Sequence, residues 1–340
     1  MVRDFSSSGL KIVVAGVGGG GCNTIKRLME YGTKSAHLVA VNTDRIHLDT
    51  IGQPAKKVLI GQSITRGLGA GGFPDIAQKA AEASRPEIQL ALEGADVVFL
   101  VSGMGGGTGT GASPVVAEIA RKEGAIVIGI VTYPFRIEKA RLAKAKQGID
   151  ELRKTCDTLV IIDNQKLLDF VPNLPIEQSF MIADEITARA VKGISDTLLQ
   201  PSLINLDFAD LRSVMSGGGI SMIAVGEGKG YNRVDEVVKN TLDHKLLDVD
   251  PTGAKGVLIH LCGGPDMTLG DANMIGEKLT NEVDPHSDVI WGARMDQGSF
   301  DRIEAIVIFT GLKEGEALKA IYGKDFKKKE EEKPRSYFWQ

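Results

Sequence analysis

Residues 103–111 read Gly-Met-Gly-Gly-Gly-Thr-Gly-Thr-Gly, directly after an apolar run and directly before Ser113-Pro114, a pair that marks a helix start. Six glycines in nine positions exceed what a turn needs. Without side chains the backbone can approach a phosphate chain and turn several N–H groups toward it. The following helix N-terminus adds partial positive charge, and the threonines add hydroxyl donors. The chemistry implied is a polyphosphate cradle. A flexible turn is the plain alternative, and the strand, loop and helix context argues against it.

A second cluster, Gly16-Val17-Gly18-Gly19-Gly20-Gly21-Cys22-Asn23, can be written GxGxxG and by itself would suggest a dinucleotide site. Such a site wants an acid at the end of the second strand to hold a ribose hydroxyl. Here that strand ends Val41-Asn42-Thr43-Asp44, with the carboxylate displaced into the loop. Two phosphate-type loops after different strands fit a single nucleotide lying across one sheet edge, with a third loop, Gly69-Ala70-Gly71-Gly72, closing on it. No GxxxxGK[ST] motif is present.

The elements that must hold these loops alternate along the chain. Apolar runs at 12–15, 37–41, 58–60, 97–101, 125–131 and 158–162 read as buried strands, with helices at 23–31, 74–92, 113–122 and 138–155 between them. This is a doubly wound α/β domain with a parallel sheet. Phe180, Ala183, Ile186, Ala190, Ile194 and Leu198 recur at helical spacing and predict one long helix over 175–199. Beyond it, strand-like runs at 222–225, 256–261, 289–293 and 305–310 enclose helices near 234–244 and 269–283, a smaller mixed α/β domain. The expected division is a flexible N-terminus (1–10), a nucleotide-binding domain (11–174), a central connecting helix (175–204), a second domain (205–315) and a charged tail (316–340) ending in Tyr337-Phe338-Trp339.

With 340 residues, 43% hydrophobic and 25% charged, the chain exceeds one usual core and is folded. Its 40 basic and 44 acidic residues give a net charge of −4, so no basic field draws nucleic acid. Cys22, Cys156 and Cys262 are far apart and form no CxxC pair, and the five histidines show no ligand spacing, so neither a disulfide framework nor a transition-metal site is expected. Residues 1–8 lack an apolar signal region and no segment has the ~20 apolar residues of a membrane span; a cytoplasmic protein without direct membrane insertion is the expectation.

The segment Gly105–Gly111, GGGTGTG, resembles the signature of the tubulin and FtsZ superfamily, and Gly16–Asn23 is similar to its first nucleotide loop. Asn205-Leu206-Asp207-Phe208-Ala209-Asp210 resembles the synergy loop of the FtsZ branch, and the order of elements agrees from about residue 10 to 312. The resemblance implies GTP and GDP as ligands. The phosphates would be held by Gly18, Gly19, Gly20, Gly21, Ala70, Gly71, Gly72, Gly103, Met104, Gly105, Gly106, Gly107, Thr108 and Gly109. Asn23, Asn42, Asp44, Thr132 and Pro134 would complete the pocket, with Glu138 and Arg141 near the sugar and Asn164 a base or ribose contact. Phe180 and Asp184 stand at the base positions. A carboxylate accepting from guanine N1–H and the 2-amino group would meet an acceptor on adenine, so Asp184 selects guanine and Phe180, one turn earlier, stacks on it. Two departures from the family pattern are that Glu138–Arg141 is one residue shorter than the usual Glu-Gly-x-x-Arg and that Phe73 replaces a common asparagine.

The resemblance implies that Asn205, Asp207 and Asp210 supply the water-orienting groups of GTP hydrolysis. They follow a helix of ~25 residues, about 37 Å long, and cannot reach the nucleotide of their own subunit. They would act on a neighbour's GTP in a head-to-tail homopolymer, as in a division filament. By spacing alone, Asp207 and Asp210 serve equally as caps of a helix before Val214. Mg2+ would arrive with the nucleotide, held by phosphate oxygens and water with help from Asp44. Membrane-adaptor or division proteins would meet the aromatic tail, and the protein would gather at mid-cell. A GTP-gated shape scaffold with slow hydrolysis and an NAD-linked oxidoreductase are the rival readings.

Overall fold

The computed structural model describes residues 9–170, 176–200, 202–243, 246, 250–281 and 283–322. Its first half runs β1 (Ile12–Val17), α1 (Gly18–Glu30), β2 (His37–Asn42), α2 (Arg45–Asp49), β3 (Lys56–Leu59), α3 (Gln62–Thr65), α4 (Pro74–Ala83), α5 (Arg85–Leu92), β4 (Val97–Gly103), α6 (Thr108–Lys122), β5 (Ile126–Tyr133), α7 (Lys139–Thr155) and β6 (Thr158–Asp163). Next come α8 (Asn164–Phe170), α9 (Ile176–Leu199), α10 (Phe208–Met215), β7 (Gly219–Lys229), α11 (Arg233–Asp243), β8 (Gly256–Gly263), α12 (Leu269–Thr280), β9 (Asp288–Met295), β10 (Arg302–Thr310) and α13 (Glu314–Tyr322).

Among the described residues the strands form one sheet in the order β3-β2-β1-β4-β5-β6-β7-β10-β8-β9. β1 to β6 pair in parallel. Their Val- and Ile-rich runs are buried because helices cover both faces. Ile25 and Leu28 of α1 and Ala190, Val191 and Ile194 of α9 pack with Ile12, Val14 and Phe99 on one side. Val116 and Ile119 of α6 and Ile149 and Leu152 of α7 pack with Val13, Val98 and Val127 on the other. Strand order reverses between β1 and β4, so a crevice opens at their carboxyl ends, where a doubly wound sheet binds its ligand.

The smaller α/β unit expected after residue 204 carries four strands, β7, β10, β8 and β9, and they join the first sheet. β7 pairs in parallel with β6 at Thr158, Leu159 and Val160, and β10 lies antiparallel between β7 and β8, so these strands extend the first sheet. The supposed tail also begins later. Residues 316–322 belong to α13, whose Ala317, Leu318 and Ile321 are buried; the charged stretch and Tyr337–Trp339 lie outside the described residues.

Three helix boundaries depart from the reading of the sequence. The helix expected over 74–92 is two, because Pro86 lacks the N–H that would continue the ladder and its ring crowds the preceding turn. The helix assigned to start at Ser113 starts at Thr108 and carries Pro114 inside it, and the one assigned to start at Asn23 starts at Gly18. Glycine disfavours helices by about 1 kcal/mol each, yet both glycine runs turn helical. Close packing is one reason: a Cβ on Gly111 would stand 2.0 Å from the Pro74 carbonyl oxygen where α6 crosses α4. Gly111→Ala is therefore expected to destabilise the protein by about 3 kcal/mol despite alanine's better helix propensity, since overpacking exceeds the propensity gain. Denaturant unfolding followed by circular dichroism measures it.

Candidate functional site

β1 and β4 are neighbours, and each ends in a glycine cluster from which a helix departs, so α1 and α6 begin side by side. Their N-cap residues, Val17 and Gly107, give no side-chain cap, and neither first turn contains an acid. The leading N–H groups of both helices thus remain available, and the two helix dipoles add in the same place. This is an anion site formed by main chain, and it opens into a cavity of about 790 Å3.

Gly19, Gly20, Gly103, Met104, Gly106, Gly107, Thr108 and Gly109 line that cavity, with Ala70, Gly71 and Gly72 facing them. A further part of the wall consists of Asn23, Asn42, Asp44, Thr132, Pro134, Glu138, Arg141, Asn164 and Asp184. Three residues assigned to it from the sequence lie beneath instead. Gly18, at φ +73°, has no room for a Cβ, which would fall 2.6 Å from the Gly109 nitrogen. Gly21 abuts the Val101 carbonyl, and Gly105, at φ +93°, abuts Arg141 and Pro134. These glycines hold loops together; they do not form the surface. Phe180 lies on α9, and its side chain is outside the described residues.

Side chains brace the loops. Thr43 and Thr108 share a hydrogen bond of 2.7 Å between their hydroxyls, joining the β2 end to the α6 start, and Gly105 N donates to Thr110 Oγ1 at 2.8 Å. Lys144 donates to the Gly72 carbonyl at 2.7 Å and lies 5.6 Å from the Phe73 ring centroid. The third loop is therefore pinned from α7, at the position where the family asparagine is replaced. Glu138 accepts from Phe135 N at 3.0 Å and pairs with Arg141 at 2.6 Å.

At the other end of the cavity Asp184 accepts from Thr24 Oγ1 at 3.2 Å. Burial pushes its pKa from the ordinary 3.8 up to about 7, against the opposing pull of Thr24 and Arg27. Asn164, which starts α8, is 4% exposed, and its Oδ1 finds no hydrogen-bond donor among the described residues. A buried acceptor in that condition costs about 1–3 kcal/mol unless a ligand donates to it. Asp44 caps α2 by accepting from His47 N at 3.1 Å, which is where its displacement past the strand end leads.

Asn205, Asp207 and Asp210 are absent from the cavity wall. Asp207 Oδ1 accepts from Asp210 N at 2.7 Å, and Asp210 Oδ2 accepts from Asp207 N at 3.4 Å, a reciprocal capping box at the start of α10. Asn205 Oδ1 accepts from Ser202 N at 2.9 Å. From Asp184 to the end of α9 at Leu199 the helix alone spans about 22 Å. The cavity also contains residues that sequence reasoning missed: His47, Leu68, Met181 and Ala183, with Gly69 of the third loop. No pattern in the sequence signals His47, a lone histidine one turn beyond a strand end.

A strand order of 3-2-1-4-5-6, two uncapped helix starts over one cavity and a buried carboxylate in its wall define a nucleotide-binding α/β protein. The model of the Tubulin/FtsZ family GTPase domain matches residues 11–172, and that of the FtsZ family C-terminal domain matches residues 219–313. Cell division protein FtsZ 2 of Methanocaldococcus jannaschii is 56% identical over 322 residues, 94% of this chain and 83% of that protein. The solved structure of an empty FtsZ dimer from M. jannaschii aligns at a TM-score of 0.87 and 43% identity, covering 92% of this chain and 91% of that one. CetZ1 from Haloferax volcanii, a GDP-bound monomer, shares the fold at a TM-score of 0.79 and 21% identity, covering 92% and 97%. The chain belongs to the Tubulin/FtsZ family, on its FtsZ branch, and carries the family's GTPase domain. It is a GTPase. The oxidoreductase reading falls with this family assignment.

Proposed function

We propose that the protein is a cell-division GTPase that assembles head to tail and hydrolyses GTP only where two copies meet. The observation that carries the reading is the separation of parts: the triphosphate cradle lies at one end of α9, and Asp207 and Asp210 lie beyond its other end. The cradle glycines supply hydrogen-bond donors and no general base, so in this reading the water is oriented by the neighbour's acids. A second copy stacked in the same direction would bring Asn205, Asp207 and Asp210 to the open cavity, a contact that does not close and so grows a filament. Exposed apolar side chains fit this arrangement. Ile46, Leu68 and Ile137 are 75%, 77% and 87% exposed on the loops and helix start around the cavity, and Leu203 is 53% exposed just before the acids.

In this reading α1 and α6 hold the phosphates through Gly19, Gly20 and Gly106–Gly109, Glu138 and Arg141 approach the ribose, and Asp184 and Asn164 read the guanine. Mg2+ comes with the triphosphate. Phosphate oxygens and water would hold most of its coordination sphere, with Asp44 of the cavity wall as its protein contact. Among the described residues no helix is long and apolar enough to cross a membrane. Residence in the cytoplasm and at the division site, and recruitment of adaptors by Tyr337–Trp339, complete the proposal.

Turnover per subunit should rise with protein concentration and reach a plateau as pelletable polymer forms. Phosphate release proportional to enzyme at every concentration, with nothing sedimenting, would overturn the shared-site reading. Polymer that pellets with GTP while releasing little phosphate would favour the scaffold reading.

A further inference from the structure

Asn42 is buried at the end of β2, and the main chain fixes the orientation of its amide: Oδ1 accepts from the N–H of Asp44 at 3.3 Å. Its Nδ2 then faces His47, 3.3 Å from Nδ1. Two donors cannot face one another, so Nδ1 is the acceptor and the proton of the neutral ring sits on Nε2. Nε2 is 3.3 Å from Oδ1 of Asn23 on α1. It donates there, which leaves the NH2 of Asn23 as a donor at the cavity that Asn23 lines. Every link in this series has one allowed polarity.

The series flanks the site from the third loop to α1. It begins at Asp44, opposite Gly69 of the third loop. It ends beside Thr24, whose hydroxyl holds Asp184. The ring passes over the first glycine loop, where a Cβ on Gly19 would lie 3.5 Å from His47 Cε1.

We propose that His47 is a positioning residue for GTP: as a neutral Nε2–H imidazole it fixes the amides of Asn42 and Asn23 so that Asn23 presents its NH2 to an acceptor oxygen or nitrogen of the nucleoside. The proposal rests on the nucleotide reading of the cavity. The charged groups that face the ring are Lys26 from α1 and Asp44 at the head of its own helix. A second proton, on Nδ1, would meet the Asn42 NH2 and break the link to Asp44.

The test compares GTP affinity and steady-state turnover of the full chain for wild type, His47→Ala and His47→Gln, with imidazole 15N spectra of the wild type. His47→Ala is expected to raise Kd and KM for GTP about tenfold, the scale of one or two lost hydrogen bonds. The loss should fall on KM and not on kcat at saturating GTP. His47→Gln keeps an amide donor for Asn23 and should recover to within about threefold of wild type, as expected when one bond of the series is restored. The 15N spectrum at neutral pH should show the Nε2–H tautomer. An alanine variant within twofold of wild type, equal weakness of the alanine and glutamine variants, or a charged or Nδ1–H ring at neutral pH would each overturn the proposal. Failure of the wild type to bind GTP at all would instead remove the nucleotide reading of the cavity, while the 15N spectrum would still decide the polarity of the series.

Discussion

Asp210→Ala is expected to lower GTP turnover by about a hundredfold or more, the usual contribution of a positioned water-orienting group, while the monomer's GTP affinity stays close to wild type. The split follows from geometry. Asp210 does not line the cavity of its own chain, so its removal cannot weaken binding there. The structural loss is small, because Asp210 contributes only the longer arm of the capping box, at 3.4 Å, and the Asp207 cap on the Asp210 main-chain N–H survives. Asp207→Ala is less clean, since losing an N-cap costs about 1 kcal/mol of helix stability. Isothermal binding of GTP to dilute protein, beside phosphate release under assembly conditions, reads the two effects separately. A fall in affinity as large as the fall in turnover would place the acid in the wrong subunit. A mixture of Asp210→Ala with Asp184→Asn subunits should turn over faster than either alone, because some contacts then join an intact cavity to intact acids.

Asp184→Asn should weaken GTP by about a hundredfold. Each hydrogen bond from guanine to an ionised carboxylate is worth about 1.5–3 kcal/mol, and an amide offers a donor where the second acceptor was. The same residue predicts a pH dependence. In the nucleotide-free protein its carboxyl titrates near 7, well above the ordinary 3.8, because it is buried. The folded state therefore holds a proton that the unfolded chain has released between those values, and stability from this group is lost as pH rises from about 4 through 7. Guanine binds the ionised form, so GTP affinity should move the opposite way, rising toward pH 7 and levelling above it. Calorimetric titration across this range checks the sign, and an affinity indifferent to pH would remove Asp184 from the base contact. In Asp184→Asn the dependence should flatten.

Much of this site is legible in the sequence, and the reasons differ from residue to residue. The two long glycine runs stand out because a turn alone needs far fewer, and their place after apolar runs puts them on one sheet edge. Helical spacing makes α9 legible, and the family resemblance then singles out Asp184 on it. What the sequence hides is the division of labour among the glycines: Gly18, Gly21 and Gly105 look like Gly19 and Gly106 until the loops are folded against each other. His47 is hidden because a lone histidine carries no pattern, and its role depends on Asn42, five residues before it, and Asn23, on another element. The continuity of the sheet is hidden for a similar reason. Three paired residues between β6 and β7 join strands separated by α9 and α10, and no local periodicity records a pairing over such a distance. The short helix α13 escapes because nine residues hold too few apolar positions to display a period, whereas α10 is legible only from its caps, Asp207 and Asp210.

Placing the cradle at one end of α9 and the acids beyond the other gives a stack of these molecules two chemically unlike tips. On the proposed shared-site reading, the outermost nucleotide at one tip faces solvent without a neighbour's carboxylates, and its triphosphate should outlast those within. At the other the last pair of acids has no substrate. Growth and loss should then differ between the tips without any further component, because direction is already written into the monomer.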